Sequence, residues 1–217
     1  MTAEMIRLTV GPIATNCYLV ACPESREAAV IDPGDESWRI LQELEARKWS
    51  LRWILVTHAH FDHMAGCGEL LEKHNCPLAL HPADLPLWWM QGGSQMFGLS
   101  IPKQPEPDHA LKTGEQLELG SLRFEVLHLP GHSPGHTGFL LREQGWLFSG
   151  DILFAGGGMG RFDLPGSSEA ELVESIQGTV FPLPDSTKVF PGHGEETTVG
   201  AEKANWELST RSMIPPP

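Results

Sequence analysis

The sequence predicts an α/β fold built from two similar halves, in which the β-sheets lie between helices. Two observations support this prediction. Runs of strand length followed by a helix occur in the first half of the chain, and the same order returns in the second half. The chain has 217 residues, of which 41% are hydrophobic, so it is long enough to bury a sizeable core. We therefore predict one domain over residues 1–217.

The first half is predicted to begin as an antiparallel meander and to continue as a βαβ unit. Turn residues such as Gly11 and Pro12 separate short apolar or alternating runs near the amino terminus. Apolar residues at helical spacing follow the third run. The predicted strands are residues 5–10, 16–21, 27–31, 51–57 and 77–80, and the predicted helices are residues 38–48 and 64–73.

Residues 81–110 interrupt this pattern with five prolines and a Gly92-Gly93 pair, although they include Trp88 and Trp89. A long apolar loop is usually functional, so it is either an excursion packed on the core or a lid or wall of a substrate site. Strands and helices return beyond it, with Ser168 as a helix-capping residue. The predicted strands are residues 116–119, 122–129, 138–141, 146–148 and 187–190, and the predicted helices are residues 167–177 and 198–208.

The composition excludes several classes of function. With 28 acidic and 15 basic residues the formal net charge is −13, and no Lys/Arg run offers a surface for nucleic acid or anionic lipid. The apolar runs are far shorter than the roughly 20 residues of a membrane span. The four cysteines form no Cys-x-x-Cys pair, and no secretory signal is evident. We therefore expect free thiols and a cytoplasmic protein.

The segment from His58 to His63 carries three histidines and one aspartate within six positions, directly after a predicted buried strand. Imidazole and carboxylate are ligands for zinc, iron and manganese. Side chains two apart in an extended chain point the same way, which predicts that His58 and His60 hold one ion. Asp62 and His63 enter the next helix and are expected to face a second ion. One segment thus serves two adjacent metals.

Three further apolar strands each end in a glycine. The residue directly after that glycine is of a type that can bind a metal ion, namely His132, Asp151 and His193. Sites of this kind form outside the carboxyl ends of strands, so we predict that these residues converge with the 58–63 segment. His136 is a second candidate near His132. We assign it no metal role, and the same holds for His74, His81, His109 and His128.

The motifs resemble the metallo-β-lactamase superfamily and, more narrowly, its hydroxyacylglutathione hydrolase (glyoxalase II-like) branch. The resemblance covers nearly the whole chain, in residues 15–18, 31–34, 57–63, 130–137, 149–151 and 191–194. It implies a four-layer αββα sandwich, the metallo-β-lactamase fold. It also implies that His58, His60 and His132 hold the first metal, that Asp62, His63 and His193 hold the second, and that Asp151 bridges the two.

The resemblance departs from the longer glyoxalase II proteins, which add a helical domain with basic residues that hold glutathione. Only 24 residues follow His193, so the chain resembles the short, single-domain type, which shares residues 158–166 and 197–200. Arg161 lies where relatives carry a basic residue that faces the substrate. It is our candidate contact for a substrate carboxylate, and a solvated surface arginine is the alternative.

The expected reaction is hydrolysis of a small-molecule thioester such as S-lactoylglutathione. Two divalent cations, zinc first and iron or manganese as alternatives, lower the pKa of a shared water, so that a bridging hydroxide attacks the carbonyl. Asp62 is expected to orient the hydroxide and accept its proton. No Gly-x-Ser-x-Gly elbow supplies a side-chain nucleophile. A thiolate leaves without a dedicated general acid.

Two other functions stay open. Persulfide dioxygenases share much of the motif set but use a single iron held by two histidines and one aspartate, whereas the intact 191–194 motif favours the dinuclear hydrolase. A closed structural metal site in a scaffold or sensor is the third reading, although structural zinc normally has no shared carboxylate. The acyl group, the thiol and the oligomeric state are not indicated by the sequence.

Overall fold

Two six-stranded sheets form the centre of the fold in the computed structural model, which describes residues 2–212. The first sheet contains, in spatial order, β1 (Glu4–Val10), β2 (Thr15–Ala21), β3 (Glu27–Ile31), β4 (Ser50–Leu55), β5 (Leu78–Leu80) and β6 (His109–Ala110). Strands β1 to β3 are antiparallel, and β3 to β6 are parallel neighbours. The predicted meander and βαβ unit are therefore confirmed.

The second sheet has the spatial order β14-β13-β10-β9-β8-β7, and a short hairpin of β11 and β12 lies outside it. Its neighbours are antiparallel except for β10 and β13, which are parallel. The strands are β7 (Gln116–Leu119), β8 (Leu122–His128), β9 (Thr137–Leu141), β10 (Trp146–Gly150), β11 (Leu153–Phe154), β12 (Gly158–Met159), β13 (Lys188–Pro191) and β14 (Thr197–Thr198).

Within residues 2–212, six α-helices cover the outer faces of the sheets. They are α1 (Ser37–Arg47), α2 (Phe61–Met64), α3 (Cys67–Lys73), α4 (Leu85–Trp89), α5 (Glu169–Glu174) and α6 (Val199–Ser212). Short 3-10 turns lie at Pro82–Asp84, Gln91–Phe97 and Arg142–Gln144, and α5 continues as a π-helical segment at Ser175–Val180. In the part of the chain that the structure describes, we find no helix with the length and apolar character of a membrane span.

Successive side chains along each strand point to opposite faces of the sheet. The buried apolar residues therefore form three clusters, which separate four layers. On β2, Leu19 packs toward the helices of the first half, whereas the next residue, Val20, packs between the sheets. On β9, Phe139 also packs between the sheets, whereas Leu140 faces α5, where it shares a cluster with Leu172. The layers are thus helix, sheet, sheet and helix, which confirms the predicted α/β αββα sandwich.

The structure corrects two predicted elements. Residues 64–73 were expected to form one helix, but Gly66 separates α2 from α3. A Cβ atom at Gly66 would lie 2.7 Å from the Pro33 carbonyl oxygen, so the backbones approach too closely for another residue. Residues 81–110, expected to be a loop, contain α4, two 3-10 turns and β6. These pieces are too short to produce a periodic pattern.

Candidate metal centre

The seven side chains predicted as metal ligands all lie at one edge of the two sheets. His58 and His60 follow β4, Asp62 and His63 lie on α2, and the other three follow β8, β10 and β13. Their ligand atoms form three groups within which all atoms lie within 4.8 Å of one another. The groups are His58, His60 and His132; His58, His63 and Asp151; and Asp62, His63 and His193.

Asp151 lies between the first and third of these groups. Its Oδ2 atom is 3.7 Å from His132 Nε2 and 3.5 Å from His193 Nε2, and its Oδ1 atom is 3.6 Å from His63 Nε2. Asp62 Oδ2 is 3.2 Å from Nε2 of both His63 and His193. The carboxylate of Asp151 therefore faces both groups, as a bridging ligand requires.

Buried polar atoms without a hydrogen-bond partner concentrate in this cluster. Among the described residues they are His58 Nε2, His63 Nε2, Asp151 Oδ1, His136 Nδ1 and Ser94 Oγ. An unsatisfied buried polar atom costs about 1–3 kcal/mol, so folded proteins rarely keep several together. Three of the five belong to predicted ligands, and imidazole nitrogen and carboxylate oxygen are donors that divalent cations accept. The residues present therefore fit a pair of metal ions.

Asp32 fixes the orientation of the 57–63 segment. Its carboxylate accepts hydrogen bonds from Thr57 N at 2.7 Å, from Thr57 Oγ1 at 2.8 Å and from His63 Nδ1 at 3.0 Å. Asp32 has a φ of 52°, a left-handed conformation that aspartate tolerates better than most residues. Because Nδ1 of His63 donates to Asp32, Nε2 is the ring nitrogen that faces the centre.

Two more histidines are oriented in the same way. His132 Nδ1 donates to the Arg161 carbonyl oxygen at 2.8 Å, which leaves Nε2 facing His60 Nδ1 at 2.9 Å. Thr57 Oγ1 lies 3.0 Å from His58 Nδ1 and, since it donates to Asp32, it accepts from this ring. In both histidines the nitrogen that faces the cluster is therefore free to bind a cation.

The buried Asp84 joins the loops that carry ligands of the first group. It accepts from Ala59 N at 2.9 Å, from Ser133 Oγ at 2.7 Å and from Gly135 N at 2.6 Å. These contacts tie the turn around Ala59 to the turn that follows His132. Asp84 belongs to the interrupted segment 81–110, and no motif marks it.

The His193 turn is held against the first sheet. Asn16 Nδ2 donates to the carbonyl oxygens of Pro191 and Gly194, and Tyr18 Oη donates to Pro191 O at 2.7 Å. A Cβ atom at Gly192 would lie 2.2 Å from Asp151 Oδ1, so only glycine allows this close approach. The link between the two sheets thus passes directly beside the centre.

The protonation states of His58, His60 and Asp62 suit metal binding. Burial and the neighbouring histidines lower the pKa of His60 to about 3, and the same two causes hold the pKa of His58 well below its usual value. Burial raises the pKa of Asp62, but the charge of His63 and hydrogen bonds from His193 outweigh it and lower the pKa overall. Neutral imidazole and ionised carboxylate are the forms that coordinate a cation. Burial lowers the pKa of His63, but the charges of Asp62, Asp151 and Asp32 outweigh it and raise the pKa overall, so a cation that binds this ring displaces a proton from it.

Residues outside the predicted set also support the cluster. His136 Nε2 accepts from the backbone N of Asp151 at 3.0 Å, and its ring stacks on His58 with centroids 4.8 Å apart. No ligand group within residues 2–212 includes His136. Thr15 Oγ1 donates to Asp62 Oδ2 at 2.8 Å. The aspartate directly after β3, Asp32, follows the same pattern of a ligand-type residue at a strand end and could have been singled out.

A cavity of about 600 Å³ opens over the cluster and is lined by Asp62, His132, Asp151 and His193. Arg161 also lines it, while its guanidinium pairs with Asp163 through two contacts of 2.9 Å. Arg161 is therefore both exposed and beside the cluster.

An αββα sandwich with a His/Asp cluster at one edge of its sheets is the architecture of a metallo-hydrolase. The chain belongs to the metallo-beta-lactamase superfamily, whose family profile matches residues 10–216. It is 35% identical to the hydroxyacylglutathione hydrolase GloC of Haemophilus influenzae over 98% of this chain and 100% of that protein. It is 36% identical to the probable metallo-hydrolase YqgX of Bacillus subtilis over 91% of this chain and 93% of that protein.

Solved structures extend the comparison. TTHA1623 in a di-iron-bound form matches with a TM-score of 0.85 and 43% identity, over 92% of this chain and 98% of that chain. BLEG-1, a B3 metallo-beta-lactamase, matches with a TM-score of 0.87 and 34% identity, over 93% of this chain and 97% of that chain. The family and fold predicted from the motifs are therefore confirmed.

Proposed function

We propose that this protein is a metal-dependent hydrolase that cleaves thioesters such as S-lactoylglutathione. The observation that carries the proposal is the convergence of two His/Asp groups on opposite sides of Asp151 within one open cavity. The similarity to a hydroxyacylglutathione hydrolase over the full length of both chains supports the choice of substrate.

Two divalent cations fit the residues that face this cavity, with zinc proposed first and iron or manganese as alternatives. The ligands proposed for the first ion are His58, His60 and His132, those for the second are Asp62, His63 and His193, and Asp151 is shared. When bound, such a pair supplies hydroxide at neutral pH and polarises a carbonyl.

Asp62 is the proposed catalytic carboxylate. Its Oδ2 atom accepts from Thr15 Oγ1, which fixes the carboxylate at the floor of the cavity. From there it orients the attacking oxygen and accepts its proton. The carbonyl carbon gains a C–O bond and loses its C–S bond, and the thiol leaves as thiolate, which needs no dedicated general acid.

Arg161 is the proposed contact for a substrate carboxylate. Its guanidinium already holds the Asp163 carboxylate in a bidentate pair at the rim of the cavity, so the geometry for a second carboxylate is present. Because both partners are exposed, exchange of Asp163 for a substrate carboxylate costs little. Arg161→Gln is expected to raise KM for a carboxylate-bearing thioester severalfold with little change in kcat, as measured by steady-state kinetics. An unchanged KM would contradict this role.

The proposed function is tested with the purified chain of residues 1–217, loaded with zinc, iron or manganese in turn. Thiol release from S-lactoylglutathione is followed with a thiol reagent, with and without a chelator. We expect release that depends on metal and that falls at least a hundredfold in Asp62→Asn. Release that survives complete removal of metal, or no release with any of the three metals, contradicts the proposal.

A mononuclear-iron enzyme similar to persulfide dioxygenases is the second candidate. Two of the three groups, His58 with His63 and Asp151, and Asp62 with His63 and His193, contain two histidines and one carboxylate, the set typical of oxygenase iron. Elemental analysis distinguishes the two functions, because the hydrolase requires two metals per chain. One iron per chain together with oxygen uptake on a persulfide substrate would favour the second candidate.

We also propose a cytoplasmic location and a small molecule as the partner. All four cysteines are free thiols, which is typical of a reducing compartment.

A further inference from the structure

A second, smaller cavity of about 290 Å³ lies beside the cavity over the cluster. Of its thirteen lining residues only His60 has a polar side chain, and the others are aliphatic, aromatic, proline or glycine. Leu87 and Met90 contribute from the α4 side and Leu164 from the opposite side. Among the described residues, neither lysine nor arginine lines this cavity, so it offers no such cation to an anionic group.

The two cavities are neighbours that share part of their walls. His60, Phe97 and Leu164 line both of them. A substrate whose reacting carbonyl lies over the cluster therefore has an apolar space directly next to it. A liquid water occupies about 30 Å³, so the small cavity has room for an apolar group of roughly ten non-hydrogen atoms.

The walls of this space expose an unusual amount of apolar surface. Met90 is 62% exposed, Met96 60% and Phe97 46%. Nine large hydrophobic residues are exposed within the described chain, and five of them line one of the two cavities. Concentrated apolar surface of this kind marks binding sites in water-soluble domains.

The α4 wall is nevertheless fixed in place. Trp88 Nε1 donates to Pro105 O at 3.1 Å, and Gln104 bonds both Gly68 N and Ala65 O. The Phe97 ring also lies against Phe61, with ring centroids 5.5 Å apart, on the helix that carries Asp62. The pocket is therefore preformed, which lowers the entropic cost of binding.

We propose that this apolar pocket, lined by Leu87, Met90, Met96, Phe97 and Leu164, binds an apolar group attached to the scissile thioester. The preferred substrates are then thioesters with an alkyl chain or aromatic ring of up to about ten non-hydrogen atoms, rather than the small polar lactoyl group. This inference rests on the proposed thioester hydrolysis. The apolar group belongs to the acyl part or to the thiol part, and the experiment separates these two sources.

The test measures kcat/KM of the metal-loaded protein for two series of thioesters. One series lengthens the acyl chain from acetyl to octanoyl on a fixed thiol, and the other lengthens an alkyl thiol with a fixed acetyl group. Burial of one methylene is worth about fourfold in kcat/KM. We expect this increase per carbon in one series, until the pocket is filled, and a flat response in the other.

Two substitutions block the pocket. Ala83→Phe fills it, and Met90→Glu places a charge in it, so both are expected to remove the dependence of kcat/KM on chain length. Trp89→Glu is the matched control, because Trp89 is exposed and directly precedes Met90 but lines neither cavity. It is expected to keep the wild-type dependence.

A binding measurement gives a readout without turnover. Metal-free protein is titrated with S-alkyl thioethers of increasing length, which cannot be hydrolysed, and affinity should rise with length in the wild type and in Trp89→Glu but not in Met90→Glu. If both thioester series respond flatly while hydrolysis proceeds, or if Met90→Glu keeps the wild-type dependence, the apolar pocket is not the subsite. If no thioester is hydrolysed with any metal, the proposed function itself fails.

Discussion

Asp32 shows how strongly the centre depends on a side chain outside the proposed ligand set. Its buried carboxylate accepts three hydrogen bonds, two from Thr57 and one from His63. If it is removed, these donors stay buried without a partner, and His63 loses the contact that fixes its ring.

Asp32→Ala is therefore expected to lower the free energy of unfolding by about 2–4 kcal/mol and metal affinity by about 10–100-fold. Urea unfolding measures the first effect, and competition with a chromophoric chelator measures the second. The control is Glu106→Ala, which removes an exposed carboxylate outside the site. Metal affinity equal to that of the wild type would show that Asp32 does not orient His63.

Gly192→Ala tests the contact between the His193 turn and Asp151. The new Cβ atom would lie 2.2 Å from Asp151 Oδ1 and 2.7 Å from His63 Cε1, so one of these side chains must move. We expect metal affinity to fall at least tenfold. Gly158→Ala is the control, since its Cβ atom meets only ordinary contacts at 3.4 Å. Competition with the same chelator measures metal affinity in both variants. Equal metal affinities in Gly192→Ala and Gly158→Ala would show that the close approach of Gly192 to Asp151 does not matter for metal binding.

At the scale of residues, the sequence was informative wherever a polar residue follows a strand directly. His132, Asp151 and His193 each follow a strand and a glycine, and the structure brings them to the same edge. Asp84 could not be predicted, because its three hydrogen-bond donors come from turns distant in the sequence. Short sequence motifs do not reveal hydrogen bonds between residues that are distant in the sequence.

At the scale of elements, the end of β5 carries a pH-sensitive contact. His81 Nδ1 accepts from Ala83 N at the start of a 3-10 turn, and its ring stacks on His128 with centroids 4.2 Å apart. Burial and the facing His128 lower the pKa of His81 to about 4. Below about pH 6.5, His81 is protonated in the unfolded chain but stays neutral in the folded protein. The free energy of unfolding therefore falls as the pH drops toward about 4.

His81→Gln should remove this contribution. Since the His81 side chain is partly solvated, we expect the loss of unfolding free energy between pH 7 and pH 4.5 to shrink by only about 1 kcal/mol. Urea unfolding of metal-free protein at both pH values measures the difference. Identical losses in the variant and the wild type would assign the pH dependence to other groups.

The same region shows the limit of element prediction. The helices between β5 and β6 have three to seven residues, less than the window in which helical periodicity is visible. In contrast, α1 repeats its apolar face over eleven residues and was predicted within one residue at each end. The longer strands of both sheets are predictable from apolar or alternating runs of strand length, whereas the two-residue strands β6 and β14 give no such signal and were not predicted.

At the scale of the whole molecule, the two sheets share one interface. Tyr18 from the first sheet packs with Phe148 and Phe190 from the second, with ring centroids 5.2 Å and 5.8 Å apart. The predicted metal ligands also come from both halves of the chain, residues 58–63 from the first and His132, Asp151 and His193 from the second. We therefore expect residues 1–217 to unfold in a single transition rather than as two separate halves.

Metal binding should raise the midpoint of that transition. At a hundredfold excess over the dissociation constant, a ligand that binds only the folded state contributes about 2.7 kcal/mol, or roughly 5–10 °C for a chain of this size. Differential scanning calorimetry with and without chelator measures the shift. Two resolved transitions would contradict the single domain, and an unchanged midpoint would contradict the metal site.

The α4 wall has a consequence for how this protein could be re-engineered. The stretch from Pro82 to Pro107 pairs with no strand, and both of its ends leave adjacent strands of the first sheet. The seven proposed metal ligands all lie outside this stretch. An exchange would have to keep Asp84, which joins the turns around them, and also Trp88, which packs in the core, and Gln104, which bonds the backbone of Ala65 and Gly68. Most residues that line the proposed apolar pocket lie in this insert, so libraries confined to it are expected to change the substrate range of the proposed hydrolase while the proposed ligands stay unaltered.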